Sequence, residues 1–267
     1  MRIDSGLVND FQRDGVVVLR DLMSTDVLGV LARGVEENMS SPGPWANEYT
    51  PVGSAGRFFD DYVNWQRIPQ FAQVATTGVV PEAAVALMKT REARFFHDHV
   101  LVKEADTTEI TPWHHDDPYY GIDGLDNVSV WIPLDPIPQE IALSFIVGSH
   151  RWNKRFIPRR FADQSEYVDF ANDFVHLPSA DELDKNSIVS CPVQPGDAIA
   201  FHFRTLHCAP GTAGHNVKRR RAVSFRYVGD DARFATRPWR TSPPLDANGL
   251  RPGDVLDDPR FPVVARA

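Results

Sequence analysis

The hydrophobic pattern changes character about a third of the way along the chain. Up to residue 92 it has helical period. Residues 4–13 read as a short helix, and Val16-Val17-Val18-Leu19 follows as an apolar strand. A second helix opens at Ser24 or Thr25, whose hydroxyls suit an N-cap, and Val27, Leu28, Leu31 and Val35 recur along it at near-helical spacing. Residues 42–57 are rich in Pro, Gly, Ser and Asn and read as a loop. Residues 81–89 form another helix, with Pro81 in the first turn, where its missing N–H costs nothing.

Beyond residue 93 the elements shorten. Residues 94–103, 128–134, 143–147, 188–193, 198–203 and 222–228 are runs rich in Val, Ile, Phe and Tyr, separated by turn signals such as Gly148-Ser149 and Pro195-Gly196-Asp197. The pattern predicts a mainly β chain with flanking helices. It divides a single domain over 1–267 into a mostly helical part (1–92), a β core (93–228) and a proline-rich tail (229–267) that wraps the surface. A polar excursion at 153–186, with some helix, interrupts the core. No internal repeat or low-complexity tract is present.

Composition narrows the function classes. At 42% hydrophobic the chain can bury a sizeable core. Its 28 Lys+Arg against 36 Asp+Glu give −8, with no long basic stripe, which argues against a nucleic-acid partner. No apolar run approaches the roughly 18 residues of a membrane span. Residues 1–5 lack the apolar stretch of a secretory leader, and two cysteines cannot build a disulfide framework. The expectation is a soluble cytoplasmic protein acting on a small molecule, with monomer and homodimer both open. Dinucleotide, ATP, serine-hydrolase and zincin signatures are all missing.

Nine histidines are placed unevenly: His97, His99, His114 and His115 cluster, as do His202, His207 and His215. In an extended chain alternate side chains share a face, so His114 and Asp116 can point the same way. That is two-thirds of the two-His, one-carboxylate facial triad of non-haem Fe(II), which leaves the opposite face of the metal open. The third ligand must come from elsewhere; His207 follows the strand at 198–203 and lies 93 residues downstream. His115 with Asp117 is a competing frame one residue along.

Trp113-His114-His115-Asp116, followed by Tyr119-Tyr120, resembles the W-H-x-D…Y segment of the phytanoyl-CoA dioxygenase (PhyH-like) family. These are Fe(II)/2-oxoglutarate oxygenases on a double-stranded β-helix (jelly roll, cupin-like). The resemblance continues through Val130-Trp131-Ile132-Pro133-Leu134-Asp135, Gly148-Ser149-His150 and Gly196-Asp197-Ala198-Ile199-Ala200-Phe201-His202. It ends with Leu206-His207-Cys208-Ala209-Pro210 and the strand from Arg220 to Tyr227.

The resemblance implies His114, Asp116 and His207 as iron ligands, with His207 preferred to His202 as the later histidine before a small-residue turn. It implies Arg220 as the cation for the 2-oxoglutarate C5 carboxylate, with Arg221 as fallback; alternation puts Arg220, Ala222, Ser224 and Arg226 on one face. Trp131 matches a position bordering 2-oxoglutarate, though a core aromatic is the other reading. His97 and His99 match inward positions that contact cosubstrate or substrate. The chain departs from the family pattern at Gln139-Glu140-Ile141-Ala142, at Val147, in a longer turn before Arg220, and at Ala209, which lacks a hydroxyl that often helps bind 2-oxoglutarate.

The implied cofactors are Fe(II), 2-oxoglutarate and O2, and the implied default outcome is hydroxylation with release of succinate and CO2. Asp116 stands where related halogenases have Gly or Ala, so halogenation is not expected. A non-catalytic metal-binding β-helix protein and a hydrolase using another divalent metal are the alternatives. The polar strand His97-Asp98-His99, Arg226, and the lack of a basic cluster for CoA phosphates favour a small polar or anionic substrate, a metabolite or natural-product intermediate. Residues 42–57 and 159–186 are the expected specificity elements.

Overall fold

The computed structural model describes residues 3–167, 173–179 and 181–267. Helix α1 (Ser5–Asp14) is capped by the Asp4 carboxylate, which accepts the Gly6 N–H, and ends at Gly15, whose left-handed φ of 76° a side chain would resist. Strand β1 (Val16–Leu19) follows. Helix α2 (Thr25–Ser40) settles the open choice of cap: Ser24 accepts the Val27 N–H.

The next stretch departs from expectation. Residues 42–57 are not wholly loop, because β2 (Asn47–Glu48) pairs with β3 (Phe58–Tyr62). Strand β3 reads Phe-Phe-Asp-Asp-Tyr, and two buried aspartates hide its pattern. Helix α3 (Pro69–Thr76) also went unread; it is short and has no side-chain cap. Helix α4 (Val79–Met88) starts two residues before the prediction, and Lys89 is its left-handed cap.

The β region comprises β4 (Glu92–Glu104), β5 (Thr111–His114), β6 (Ile122–Asp123), β7 (Asn127–Pro133), β8 (Leu143–Ile146), β9 (Ile188–Cys191), β10 (Ala198–Phe201), β11 (His207–Ala209), β12 (Arg219–Val228), β13 (Arg233–Phe234) and β14 (Val263–Arg266). The large sheet has the order β1-β10-β7-β12-β4-β3-β2, with β14 also on β4; the small sheet runs β5-β11-β8-β9. All ladders in both are antiparallel. One expectation fails here, and a second is met only by a short turn among the described residues. The tail does not merely wrap the surface, since β14 adds to β4 while Val264 and Ala265 pack on the core. Among its described residues the 153–186 excursion has only a 3-10 turn, Lys185–Ser187, and isolated bridges; residues 168–172 and 180 lie outside the described set.

Alternation sorts the large sheet into two faces. Val128, Val130 and Ile132 of β7 and Val223, Phe225 and Tyr227 of β12 pack with Leu31, Val35, Phe71 and Leu87 of the helices. The intervening Trp131 and Ala222 join Leu143, Phe145 and Ala209 of the small sheet in a second core. Strands buried on both faces read as near-continuous apolar runs, which is why they were visible in sequence. Phe225 is fully buried, so Phe225→Ala should cost about 3–5 kcal/mol. Urea denaturation checks this; a loss below about 1 kcal/mol would show that this core collapses around the gap. Among the described residues no single helix is long and apolar enough to cross a membrane. The bent pair α3 and α4 buries Phe71, Val74, Ala83, Ala84 and Leu87 in the helix-side core.

Candidate active site

Adjacent strands β5 and β11 place His114 directly opposite His207, ring centroids 4.2 Å apart. Asp116 joins them by a different route from the one alternation suggested. Strand β5 stops at His114, and Asp116 has helical backbone angles (φ −73°, ψ −34°) in the turn that follows. Its N–H donates to the Phe203 carbonyl at 2.7 Å, tying that turn to the approach to β11. The Asp116 Oδ1 atom then lies 3.7 Å from His114 Nε2 and 3.8 Å from His207 Nε2, and one ligand atom from each residue lies within 4.8 Å of the others.

The protonation states suit a metal. His114 Nδ1 sits 2.8 Å from the Pro112 carbonyl and His207 Nδ1 2.9 Å from the Thr205 carbonyl. A carbonyl can only accept, so each Nδ1 carries the proton and each Nε2 lone pair is free. Burial keeps both rings neutral, pushing His114 down to about 3 and lowering His207. Burial alone would raise Asp116, but Arg226, His207 and His114 outweigh it and hold the carboxyl below its usual range. Asp116 Oδ2 accepts from Ser129 Oγ at 3.0 Å and faces Arg226 Nε at 3.5 Å, leaving Oδ1 for a ligand role. Three buried donors with prepared lone pairs fit one divalent ion.

The rival residues are otherwise employed. His115 Nε2 accepts the Phe156 N–H at 2.9 Å, and Asp117 is held by Arg155 at 2.8 Å and Arg204 at 3.0 Å. His202 Nε2 lies 2.8 Å from the Leu125 carbonyl while its Nδ1 accepts the Arg204 N–H at 3.0 Å. Gly148-Ser149-His150 has a bracing role: Ser149 Oγ donates to the Ile146 carbonyl and accepts the Leu206 N–H beside His207.

These buried imidazoles make stability acid-sensitive. Burial pushes His202 down to about 3 and His115 to about 4, like His114. An unfolded histidine titrates near 6.5, so below that pH the unfolded state binds the extra protons. Metal-free protein should therefore lose up to about 1.4 kcal/mol per pH unit per such histidine as pH falls from 6.5 towards 4. Denaturation at pH 7 and pH 5 measures this, and equal stabilities would contradict neutral burial.

A cavity of about 290 Å³ lies against the triad. Arg220 lines it, buried, with Nη1 on the Ile141 carbonyl at 2.7 Å and Nη2 on the Pro210 carbonyl at 3.2 Å. Among the described residues no carboxylate pairs with it; burial lowers it to about 10, so it stays charged at neutral pH. Arg221 points the other way, forking onto Asp135 at 2.8 and 3.1 Å and reaching Glu36 at 2.9 Å. Trp131 and His99 also line the cavity. His97 does not; it contacts its neighbour's backbone carbonyl and the edge of Tyr120.

Sequence reasoning missed Lys103 and Asp60. Lys103 is buried in the cavity wall, its Nζ 2.8 Å from the Glu109 carbonyl and 3.2 Å from the Pro210 carbonyl that also serves Arg220. Alternation from His97 and His99 through Leu101 could have found it. Asp60 ends a line of polar contacts across the sheet: Asp60 Oδ2 to His99 Nε2 at 3.0 Å, His99 Nδ1 to Arg226 Nη2 at 3.3 Å, then Arg226 to Asp116. Arginine can only donate, so His99 accepts at Nδ1 and donates from Nε2. Asn47 (3.0 Å) and Tyr49 (3.1 Å), both from the 42–57 segment, donate to the same Asp60 carboxylate.

The family model for phytanoyl-CoA dioxygenase (PhyH) matches residues 11–222. The chain belongs to the phytanoyl-CoA dioxygenase family. No curated protein matches it. Several solved structures do. It resembles the "non-heme alpha ketoglutarate dependent epimerase SnoN from nogalamycin biosynthesis" with a TM-score of 0.75, 19% identity and 98% of each chain covered. It resembles the "carbocyclase SnoK" of the same biosynthesis with a TM-score of 0.74 and 23% identity, over 98% of this chain and 97% of that one. For EctD from S. alaskensis, solved "with 2-oxoglutarate and 5-hydroxyectoine", the TM-score is 0.66 and the identity 18%, over 95% and 85%. The architecture of this phytanoyl-CoA dioxygenase family member is thus the expected jelly roll, and iron, 2-oxoglutarate and O2 are the cofactors consistent with the family and with the ligand set.

Proposed function

We propose that the protein is a non-haem Fe(II)- and 2-oxoglutarate-dependent dioxygenase that hydroxylates a small polar metabolite or natural-product intermediate. The observation that carries this is a pairing within one cavity: a triad with its Nε2 lone pairs free, and a buried, charged Arg220 with no carboxylate partner among the described residues. His114, Asp116 and His207 would hold the iron. With 2-oxoglutarate and O2, bound iron supplies the oxidative decarboxylation that drives C–H oxidation, releasing succinate and CO2.

The chain's own residues position and shield. Arg220 can offer a planar fork to a terminal carboxylate, and buried Lys103 adds a second donor at the same carbonyl, its pKa pulled well down by burial and by Arg220. Trp131 and His99 flank the cosubstrate space, and Trp131 helps keep water from it. Ser129 and Arg226 occupy Asp116 Oδ2, fixing which oxygen faces the metal. The retained carboxylate supports hydroxylation over halogenation. A cytoplasmic setting without nucleic-acid or membrane partners completes this reading.

The test is anaerobic Fe(II) and 2-oxoglutarate binding, followed by succinate release on admitting O2. A visible charge-transfer band and Fe(II)-dependent succinate are expected. Turnover with zinc or manganese and no succinate would point to a hydrolase instead. Metal binding without any 2-oxoglutarate binding would leave only a metal-binding β-helix protein.

A further inference from the structure

The cavity wall beside the triad is aromatic. Five rings that line it form a continuous chain of contacts: Phe58 to Tyr49 at 4.8 Å, Tyr49 to Phe161 at 6.1 Å, Phe161 to Tyr119 at 6.2 Å and Tyr119 to Tyr167 at 6.1 Å. Phe161 lies 5.0 Å and Tyr119 5.8 Å from the His114 ring, so a molecule resting on these faces sits against a metal ligand. Tyr49 comes from the 42–57 segment, and Phe161 and Tyr167 from the 153–186 excursion. Two chain segments remote in sequence thus supply ring faces to one space.

Charge adds a second constraint. The cavity is lined by Lys103, Arg159, Arg160, Arg220 and Arg226, against a single carboxylate, Asp116. Arg226 already faces Asp116 and Arg159 lies 3.5 Å from Glu166, while burial and the neighbouring Arg220 pull the Lys103 ammonium well below its usual range. A 2-oxoglutarate dianion would be matched at the Arg220 and Lys103 end, which leaves Arg160 without a carboxylate partner among the described residues. Two residues of the same wall hold donors without acceptors: Arg226 Nη1 and Ser224 Oγ are buried and have no hydrogen-bond partner. Buried polar groups are rarely left unpaired, so a ligand oxygen is the natural acceptor. Aromatic walls alone would also suit a quaternary ammonium. The basic side chains along this wall, with one carboxylate among its lining residues, favour an anion over such a cation.

Building on the dioxygenase reading above, we propose that the substrate is a planar aromatic acid, its ring resting on Phe161 and Tyr119 and its ionised oxygen taken by Arg226 and Ser224. A saturated metabolite would forgo the ring contacts, and a neutral arene would leave both donors unsatisfied.

The test uses 6-hydroxy-2-naphthoate, which is fluorescent and cannot chelate iron through adjacent groups. It is titrated anaerobically into full-length protein saturated with Fe(II) and 2-oxoglutarate, following probe fluorescence and the charge-transfer band. Cyclohexanecarboxylate and 2-naphthol, followed through the same band, serve as the charge-only and ring-only comparisons. The naphthoate should shift the band without abolishing it and bind about ten-fold more tightly than either comparison. Phe161→Ala and Ser224→Ala should each weaken it several-fold while 2-oxoglutarate affinity stays within about two-fold. Equal binding of a comparison compound, loss of the band through displacement of 2-oxoglutarate, no binding while the band is intact, or an unaltered Phe161→Ala each overturns the proposal. Absence of the band from the wild-type protein before any probe is added removes the dioxygenase reading itself, a failure distinct from the others.

Discussion

Alanine at His114, Asp116 or His207 is expected to abolish the Fe(II)–2-oxoglutarate charge-transfer band and to weaken metal binding by more than about 100-fold. Losing a partner that merely orients a ligand already costs about 10–100-fold, and these three would be the ligands themselves. Each supplies an atom to the same small space: the two imidazoles offer Nε2 because their Nδ1 protons are committed to backbone carbonyls, and Asp116 offers Oδ1 because Oδ2 is engaged. His115→Ala and His202→Ala should leave the band in place, since neither ring reaches Asp116 Oδ1. They are the controls that separate loss of a ligand from loss of fold, because both rings are buried and hydrogen-bonded. Loss of the band in His202→Ala with its retention in His207→Ala would reassign the third ligand.

The next largest effect concerns neighbouring arginines. Arg220→Lys should raise the apparent KM for 2-oxoglutarate about ten- to a hundredfold, corresponding to roughly 1.5–3 kcal/mol for a hydrogen bond to a charged group. An ammonium cannot reproduce the planar fork, so the substitution is not conservative at a carboxylate site. Arg221→Lys should change KM by less than about two-fold, because Arg221 leaves the sheet on the opposite face and pairs with Asp135 and Glu36. Steady-state kinetics, or anaerobic titration where no substrate is in hand, measures both. A large effect at Arg221 and none at Arg220 would contradict the cavity assignment, and small equal effects would count against 2-oxoglutarate as the cosubstrate.

The two arginines also show what was legible in the sequence and why. Strand β12 is regular from Arg219 to Arg226, so a period of two was enough to separate Arg220 from Arg221. The central strands were visible because both their faces are buried. His114 and Asp116 were found together by an argument whose premise fails locally: the chain is not extended at Asp116, and the Phe203 carbonyl, distant in sequence, holds the turn that completes the approach. What stayed hidden depends on partners far along the chain. Asp60 and Asp61 read as surface residues until β3 is placed beside β4, where both are fully buried. Lys103 shares the inward alternation of His99 and Leu101, but a lysine at a strand end reads as solvated until the Pro210 carbonyl, 107 residues on, joins that of nearby Glu109 over it. The β14 strand could not be read from a tail rich in proline, because its pairing with β4 is set by the return of the chain and not by local pattern.

The line from Asn47 and Tyr49 through Asp60, His99 and Arg226 to Asp116 bears on how such a protein can diversify. Segments that shape a binding space are often treated as exchangeable cassettes on a constant scaffold. Here the 42–57 segment is not independent of the scaffold, since it supplies two donors to a fully buried carboxylate wired to the candidate metal ligand. A graft that altered selectivity but omitted Asn47 and Tyr49 would leave Asp60 underbonded in a dry wall and change the field that Arg226 imposes on Asp116. Selectivity and metal tuning would then be inherited together, and viable loop variants would be those that keep an amide and a phenol, or equivalent donors, within reach of Asp60.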